Sequence, residues 1–176
     1  MRIALAVESV KVYITVIGGS GERDERVLKT AEDVGVLIAE KGAVLVCGGR
    51  GGVMEAVARG AKKAGGLTVG ILPGLSRREA NPYIDVAIPT GLSHARNAVN
   101  VLAGDAVIVI GGGAGTLSEV GLALAYGKPV VVVRGTGGVA DLLSGKMIGD
   151  SRVYTADGPR EAVELALRLA SKRREP

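Results

Sequence analysis

The sequence predicts a doubly wound α/β fold, a mainly parallel sheet of six or seven strands with helices on both faces. Three observations carry that prediction. Short β-branched runs alternate with amphipathic stretches along the chain. Most of the runs are continuously apolar, as strands buried on both faces of a parallel sheet must be. The glycines cluster just after these runs, where strand-to-helix turns fall.

Taken in order, Val12–Ile17 reads as the first strand. In Glu22–Lys41, Val27, Leu28, Ala31, Val34 and Ile38 recur at helical spacing, and Gly42 ends that helix. Ala43–Cys47 is a second strand, Val53–Ala64 a helix and Leu67–Leu72 a third strand. Ile84–Ile88 follows as a strand, then a helix over Ser93–Ala103 and a strand over Ala106–Ile110. A helix over Thr116–Tyr126, a strand over Val130–Val133 and helices over Val139–Leu143 and Gly158–Lys172 complete the pattern. Parallel strands need right-handed helical crossovers, which this alternation supplies.

With 176 residues the chain suits one domain. It is expected to span 10–172, with an N-terminal extension at 1–9 and a frayed basic tail at 173–176. Hydrophobic residues at 47% and charged residues at 23% exclude intrinsic disorder. The single cysteine, Cys47, forms neither an internal disulfide nor a Cys-rich zinc site. A lone histidine, His94, excludes multi-histidine metal chemistry, so no metal is expected. No apolar run approaches the roughly 18 residues of a membrane span. Glu8 and Lys11 interrupt the apolar start, which argues against a signal peptide. The expectation is a soluble, cytoplasmic protein with no membrane partner. Net charge +4 suits an anionic ligand. Nucleic acid is not the expected partner, because Trp and Phe are absent and only four Tyr are available for base stacking.

Glycine makes up 28 residues, more than twice the usual share of about 7%. Four clusters follow strands: Gly18-Gly19-Ser20-Gly21, Gly48-Gly49-Arg50-Gly51-Gly52, Gly111-Gly112-Gly113-Ala114-Gly115 and Gly135-Thr136-Gly137-Gly138. Loops at the carboxyl ends of parallel strands line the ligand crevice, and glycine lets backbone amides approach a phosphate at the next helix N-terminus. Together they point to a phosphate-bearing ligand. There is no Walker motif, and the first glycine turn lacks the third glycine of a dinucleotide fingerprint. Gly135-x-Gly137-x-x-Ala140 matches that fingerprint, but late in the chain.

Few side chains could carry chemistry. Glu119 stands either as a general base above a glycine turn or as the third residue of a capping box begun by Thr116. Arg96 and Arg50 are candidate anion clamps, or surface arginines. His94 could exchange protons near neutrality or simply start a helix. Cys47 closes a buried strand and reads as core. Asp24 and Asp85 are the possible second carboxylates beside Glu119.

Gly111-Gly112-Gly113-Ala114-Gly115-Thr116-Leu117-Ser118-Glu119 resembles the P-G-G-x-G-T-x-x-E signature of the Lonely-guy proteins, often mislabelled lysine decarboxylases. His94-Ala95-Arg96-Asn97 resembles their M-H-x-R-K motif, and Gly48–Met54 with Ala56-Val57-Ala58 their Y-G-G-G-x-x-G-L-M-G-A-V-A stretch. Gly111 stands for the signature proline, Ser93 for the methionine and Asn97 for the lysine. Within that superfamily the molybdenum cofactor carrier proteins are more similar still. Ile88-Pro89-Thr90-Gly91-Leu92, Ala95-Arg96-Asn97, Asn100-Val101-Leu102, Gly113-Ala114-Gly115-Thr116 and Lys128-Pro129-Val130-Val131 carry that likeness. A more distant kinship runs to the DNA-processing protein A fold.

The resemblance implies a Rossmann-like fold and a homo-dimer or homo-tetramer. Two function classes follow. One is a binding protein for a nucleotide or molybdopterin-like ligand, needing no cofactor of its own, held by Gly18, Gly19, Ser20, Gly21, Gly48, Gly49, Arg50, Gly51, Arg96, Asn97, Gly112, Gly113, Ala114, Gly115 and Thr116. The other is a nucleoside 5′-monophosphate phosphoribohydrolase with Arg96 and Glu119 as its catalytic pair. Single-stranded DNA binding fits the fold but not the composition.

Overall fold

The computed structural model describes residues 11–174. The extension at 1–9 and the last two tail residues therefore lie outside the described residues. The strands are β1 (Tyr13–Gly18), β2 (Val44–Cys47), β3 (Thr68–Leu72), β4 (Val86–Pro89), β5 (Ala106–Ile110), β6 (Val130–Val133), β7 (Met147–Ile148) and β8 (Ser151–Ala156). The helices are α1 (Glu25–Glu40), α2 (Val53–Lys63), α3 (Arg96–Ala103), α4 (Ala114–Ala125), α5 (Gly138–Leu143) and α6 (Pro159–Arg174). Their sheet order is β4-β3-β2-β1-β5-β6-β8-β7, all parallel except β7, which runs antiparallel to β8.

The sheet thus has eight strands where six or seven were expected. The runs from Val12 to Val133 all form strands, and the additions are β7 and β8. In β8 only Val153 and Ala156 are buried, so Ser151-Arg152-Val153-Tyr154-Thr155-Ala156 has no apolar run to announce it. Element ends moved by a few residues. Glu22 Oε1 accepts from the amides of Arg23 and Asp24, and Asp24 caps α1, which delays that helix to Glu25. A 3₁₀ turn over Ser93–Ala95 precedes α3.

Alternation along the strands builds two cores. Ile14, Val16, Leu45, Cys47, Ile108 and Ile110 face α1, α2 and α6. Ile17, Val107, Val109, Val130 and Val132 face α3, α4 and α5. All five residues of β5 are completely buried, as the central strand of a doubly covered sheet requires. Helices α1 and α2 meet backbone to backbone: a methyl on Gly35 would collide with the Val57 carbonyl, and one on Gly60 with that of Glu32. Around this contact, Glu32 accepts ion pairs from Arg59 at 2.9 Å and from Lys63.

Candidate functional site

From β1 the chain crosses over to β2 on one side of the sheet, and β5 and β6 continue on the other, so the topological switch point lies between β1 and β5. Ligand crevices open there, outside the carboxyl ends of the strands. The protein has a cavity of about 420 Å³ at this place. Its floor and walls bring together Gly18, Gly19, Ser20 and Gly21 after β1, Arg50 after β2, Arg96 and Asn97 at the start of α3, and Gly113, Gly115, Thr116 and Glu119 from α4.

The other expected residues stand behind this lining. A side chain at Gly48 would run into the Arg96 guanidinium and the Met54 sulfur, so that glycine makes room for Arg96. Gly49 donates its amide to Cys47 Sγ at 3.4 Å. Asn81 fixes the same turn by accepting nothing from it: its amide donates to the Gly49 carbonyl and its Nδ2 to the Arg50 carbonyl. Gly51, Gly112 and Ala114 are absent from the lining. Met54, Pro73 and Ser93 join it unforeseen, and His94, weighed as a proton-exchanging residue or a helix start, lines it too. Ser93 carries a left-handed backbone at φ 50°, a strained conformation for a non-glycine residue and a signal no sequence pattern gives.

Glu119 is buried, 7% exposed, and is not a helix cap. Helix α4 begins at Ala114 with Gly113 as its N-cap and no side-chain cap bond, so of the two alternatives for Glu119 the Thr116 capping box does not form. Starting the helix two residues early buries Thr116 and puts both it and Glu119 in the cavity wall. Its Oε1 instead accepts from Asn100 Nδ2 at 2.8 Å. Burial pushes the Glu119 pKa up, against the opposing pull of the Asn100 hydrogen bond and the Arg96 charge. Burial likewise pushes Arg96 down, opposed by Glu119. Among the described residues no ion pair closes between the two, and Arg96 Nε is buried without a hydrogen-bond partner. Asn97 Nδ2 donates to Ser118 Oγ at 2.9 Å and weakly to the Gly115 carbonyl at 3.4 Å.

The remaining candidates fall elsewhere. Cys47 is fully buried, and desolvation pushes its thiol up to about 11, which keeps it a neutral core residue. Asp24 caps α1. Asp85 precedes β4 at the opposite, amino edge of the sheet, bound to Lys62 at 2.7 Å and to Thr68. The late Gly135-x-Gly137-x-x-Ala140 turn is closed by its own helix: the Asp141 carboxylate accepts from the amides of Gly135 at 2.7 Å and Gly137 at 2.9 Å. Those two amides are therefore already satisfied within the chain. No group of three His, Cys, Asp or Glu side chains able to hold a metal exists among the described residues.

A glycine-walled cleft at the switch point of a doubly wound sheet defines a small-ligand-binding protein of Rossmann-like fold. The chain belongs to the SLOG cluster4 family, which it matches over residues 11–163. An uncharacterized protein of Archaeoglobus fulgidus is 50% identical over 154 residues, 88% of this chain and 94% of that one. The cytokinin riboside 5′-monophosphate phosphoribohydrolase of Mycobacterium tuberculosis is 37% identical over 115 residues, 60% of this chain and 62% of that one. Among solved structures, the molybdenum cofactor binding protein of Rippkaea orientalis superposes with TM-score 0.82 at 44% identity, covering 90% and 97% of the two chains. The molybdenum cofactor carrier protein of Chlamydomonas reinhardtii superposes with TM-score 0.80 at 36% identity, covering 92% and 99%. The resemblance read from the glycine and arginine motifs therefore holds.

Proposed function

We propose that the cleft binds a phosphate-bearing small ligand, a nucleotide or a molybdopterin-like compound, and that the protein acts as its carrier. The observation that carries this is Arg96. Its Nε is a buried donor without an acceptor, in a cavity also lined by the first turn of α4. First-turn amides of a helix have no intrahelical acceptor, so an anionic oxygen placed there would meet them beside the Arg96 guanidinium. Arg50 adds a second cation, and the cavity of about 420 Å³ is of small-ligand size. Gly18–Gly21, Arg50, Arg96 and Gly113–Thr116 would hold the phosphate. Asn97 favours binding over turnover: where the hydrolase motif carries a lysine, this amide is tied to α4 and brings no charge to the cleft. The likeness to the two molybdenum cofactor proteins supports the same reading.

A second reading, hydrolysis of the N-glycosidic bond of nucleoside 5′-monophosphates, is favoured by the burial of Glu119 beside Arg96 and by the mycobacterial relative. There Arg96 would orient the ligand and Glu119 would stabilise the ribosyl cation or activate water. Incubation with purine and pyrimidine 5′-monophosphates, with Glu119→Gln as control, separates the two. The carrier reading expects ligand binding and no ribose 5-phosphate above the control. Release abolished by Glu119→Gln would make the protein a hydrolase.

The assembly belongs to the same proposal. Val99 and Leu102 on α3, and Leu117 on α4, are exposed on neighbouring helices, which supports a homo-dimer or homo-tetramer. No helix among the described residues is long and apolar enough to cross a membrane, and a carrier of this kind would work in the cytoplasm.

A further inference from the structure

Asn100 lies one turn beyond Arg96 on α3 and is 1% exposed. Its backbone carbonyl accepts from Thr15 Oγ1 at 3.0 Å, a bond that any side chain at this position would keep. The side-chain amide therefore is not what ties α3 to β1. It makes one bond, Nδ2 to Glu119 Oε1, while its Oδ1 is buried with no partner among the described residues. A buried carbonyl without a donor is a cost that an apolar side chain of similar volume would not bear. The amide is turned so that its donor meets the carboxylate.

We propose that Asn100 is the positioning residue of the cleft: it engages Glu119 Oε1, leaves Oε2 as the oxygen offered to the ligand, and holds that carboxylate in its acceptor form. This rests on the reading of the cleft as a ligand site that Glu119 lines. The ligand must then present an N–H or O–H donor to Oε2. Around Glu119 the other charged or titratable groups are Arg96 from α3 and Cys47 at the end of β2, with Arg50 acting in turn on Arg96 and His94 sharing the cavity. Cys47 is neutral at working pH. Without Asn100, Arg96 alone would oppose the burial of the charge.

The test follows the carbon-13 carboxyl shift of Glu119 through a pH titration of the full, ligand-free chain, assigned with Glu119→Gln. Asn100→Leu and Asn100→Val both remove the amide without adding a charge beside Glu119, the second kept in case the first fails to fold. In both, the Glu119 midpoint is expected to rise by about one pH unit, roughly tenfold in proton affinity. A midpoint unchanged in either folded variant would overturn the proposal and leave Asn100 as packing. No nucleotide enters this measurement, so its failure is distinct from failure of the nucleotide panel. If the midpoint moves but no 5′-monophosphate or molybdopterin binds, the Asn100 bond to Glu119 stands, while the reading of the cleft and the ligand-positioning role both fall.

Discussion

Two glycine turns stand side by side in this protein and do opposite things. The turn from β5 to α4, Gly111–Gly115, leaves the first turn of its helix on an open cavity beside Arg96. The turn from β6 to α5, Gly135–Gly138, has its amides taken by Asp141 and serves as a brace. Thr136 Oγ1 accepts from the Gly111 amide at 2.9 Å. The amides of Val139 and Ala140 donate to the carbonyls of Gly112 and Gly111 at 3.0 and 3.1 Å. The second turn thus holds the first in shape. A glycine motif after a strand offers amides, and whether it binds an anion depends on whether the chain supplies its own carboxylate.

The largest effect should come from the open turn. Arg96→Ala removes a desolvated cation from the cleft, and the affinity for a bound 5′-monophosphate is expected to fall roughly 30-fold, about 2 kcal/mol, in a calorimetric titration. Beside the closed turn stands Arg134, just before Gly135, exposed and paired with Asp157. Arg134→Ala should leave the affinity unchanged. Equal losses in the two variants would break the distinction between the turns.

The closed turn should answer in stability. Asp141→Ser removes the carboxylate that accepts from Gly135 and Gly137. Because the group is solvent-exposed, the cost is expected at the low end for charge-assisted hydrogen bonds, about 1.5 kcal/mol by denaturant unfolding. Affinity at the cleft should change less than about twofold, against the roughly tenfold that 1.4 kcal/mol represents. A second phosphate site appearing in this variant would sharpen the comparison, since it would mean that Asp141 alone keeps the turn closed.

Much of this was legible in the sequence for a physical reason. Strands such as Ala106–Ile110 are buried on both faces, so their composition is as extreme as their environment. The positions of Arg96 and Glu119 came from motif spacing, and the fold brings them to one cavity. What stayed hidden depends on where each helix begins and on how its side chains turn once it is packed. Thr116 and Glu119 have the spacing of a capping box, and only the start of α4 at Ala114 decides against it. The Gly135 turn has the spacing of a phosphate fingerprint, and Asp141 closes it from within its own helix. Asn100 stood in the sequence only as part of a family likeness, because its role exists only once α3 and α4 are packed.

The smallest effect concerns the burial of Glu119 itself. Its carboxyl holds a proton more tightly in the folded protein than in the unfolded chain, because burial disfavours the charge. Folding is therefore coupled to proton binding, and stability falls as pH rises from the ordinary carboxylate value through the higher folded one. Above that window the buried charge remains a cost. The closed turn carries no such burden, since Asp141 is exposed. Glu119→Gln cannot ionise and keeps an acceptor for Asn100, so it should melt higher than the parent protein at neutral pH, by at most a few degrees for a domain of this size. The gain should disappear below about pH 4, where the parent carboxyl is protonated in both states. Melting curves at the two pH values decide it: a gain that persists in acid would mean that the cost of Glu119 is steric rather than electrostatic, and the open turn would then owe nothing to a buried charge.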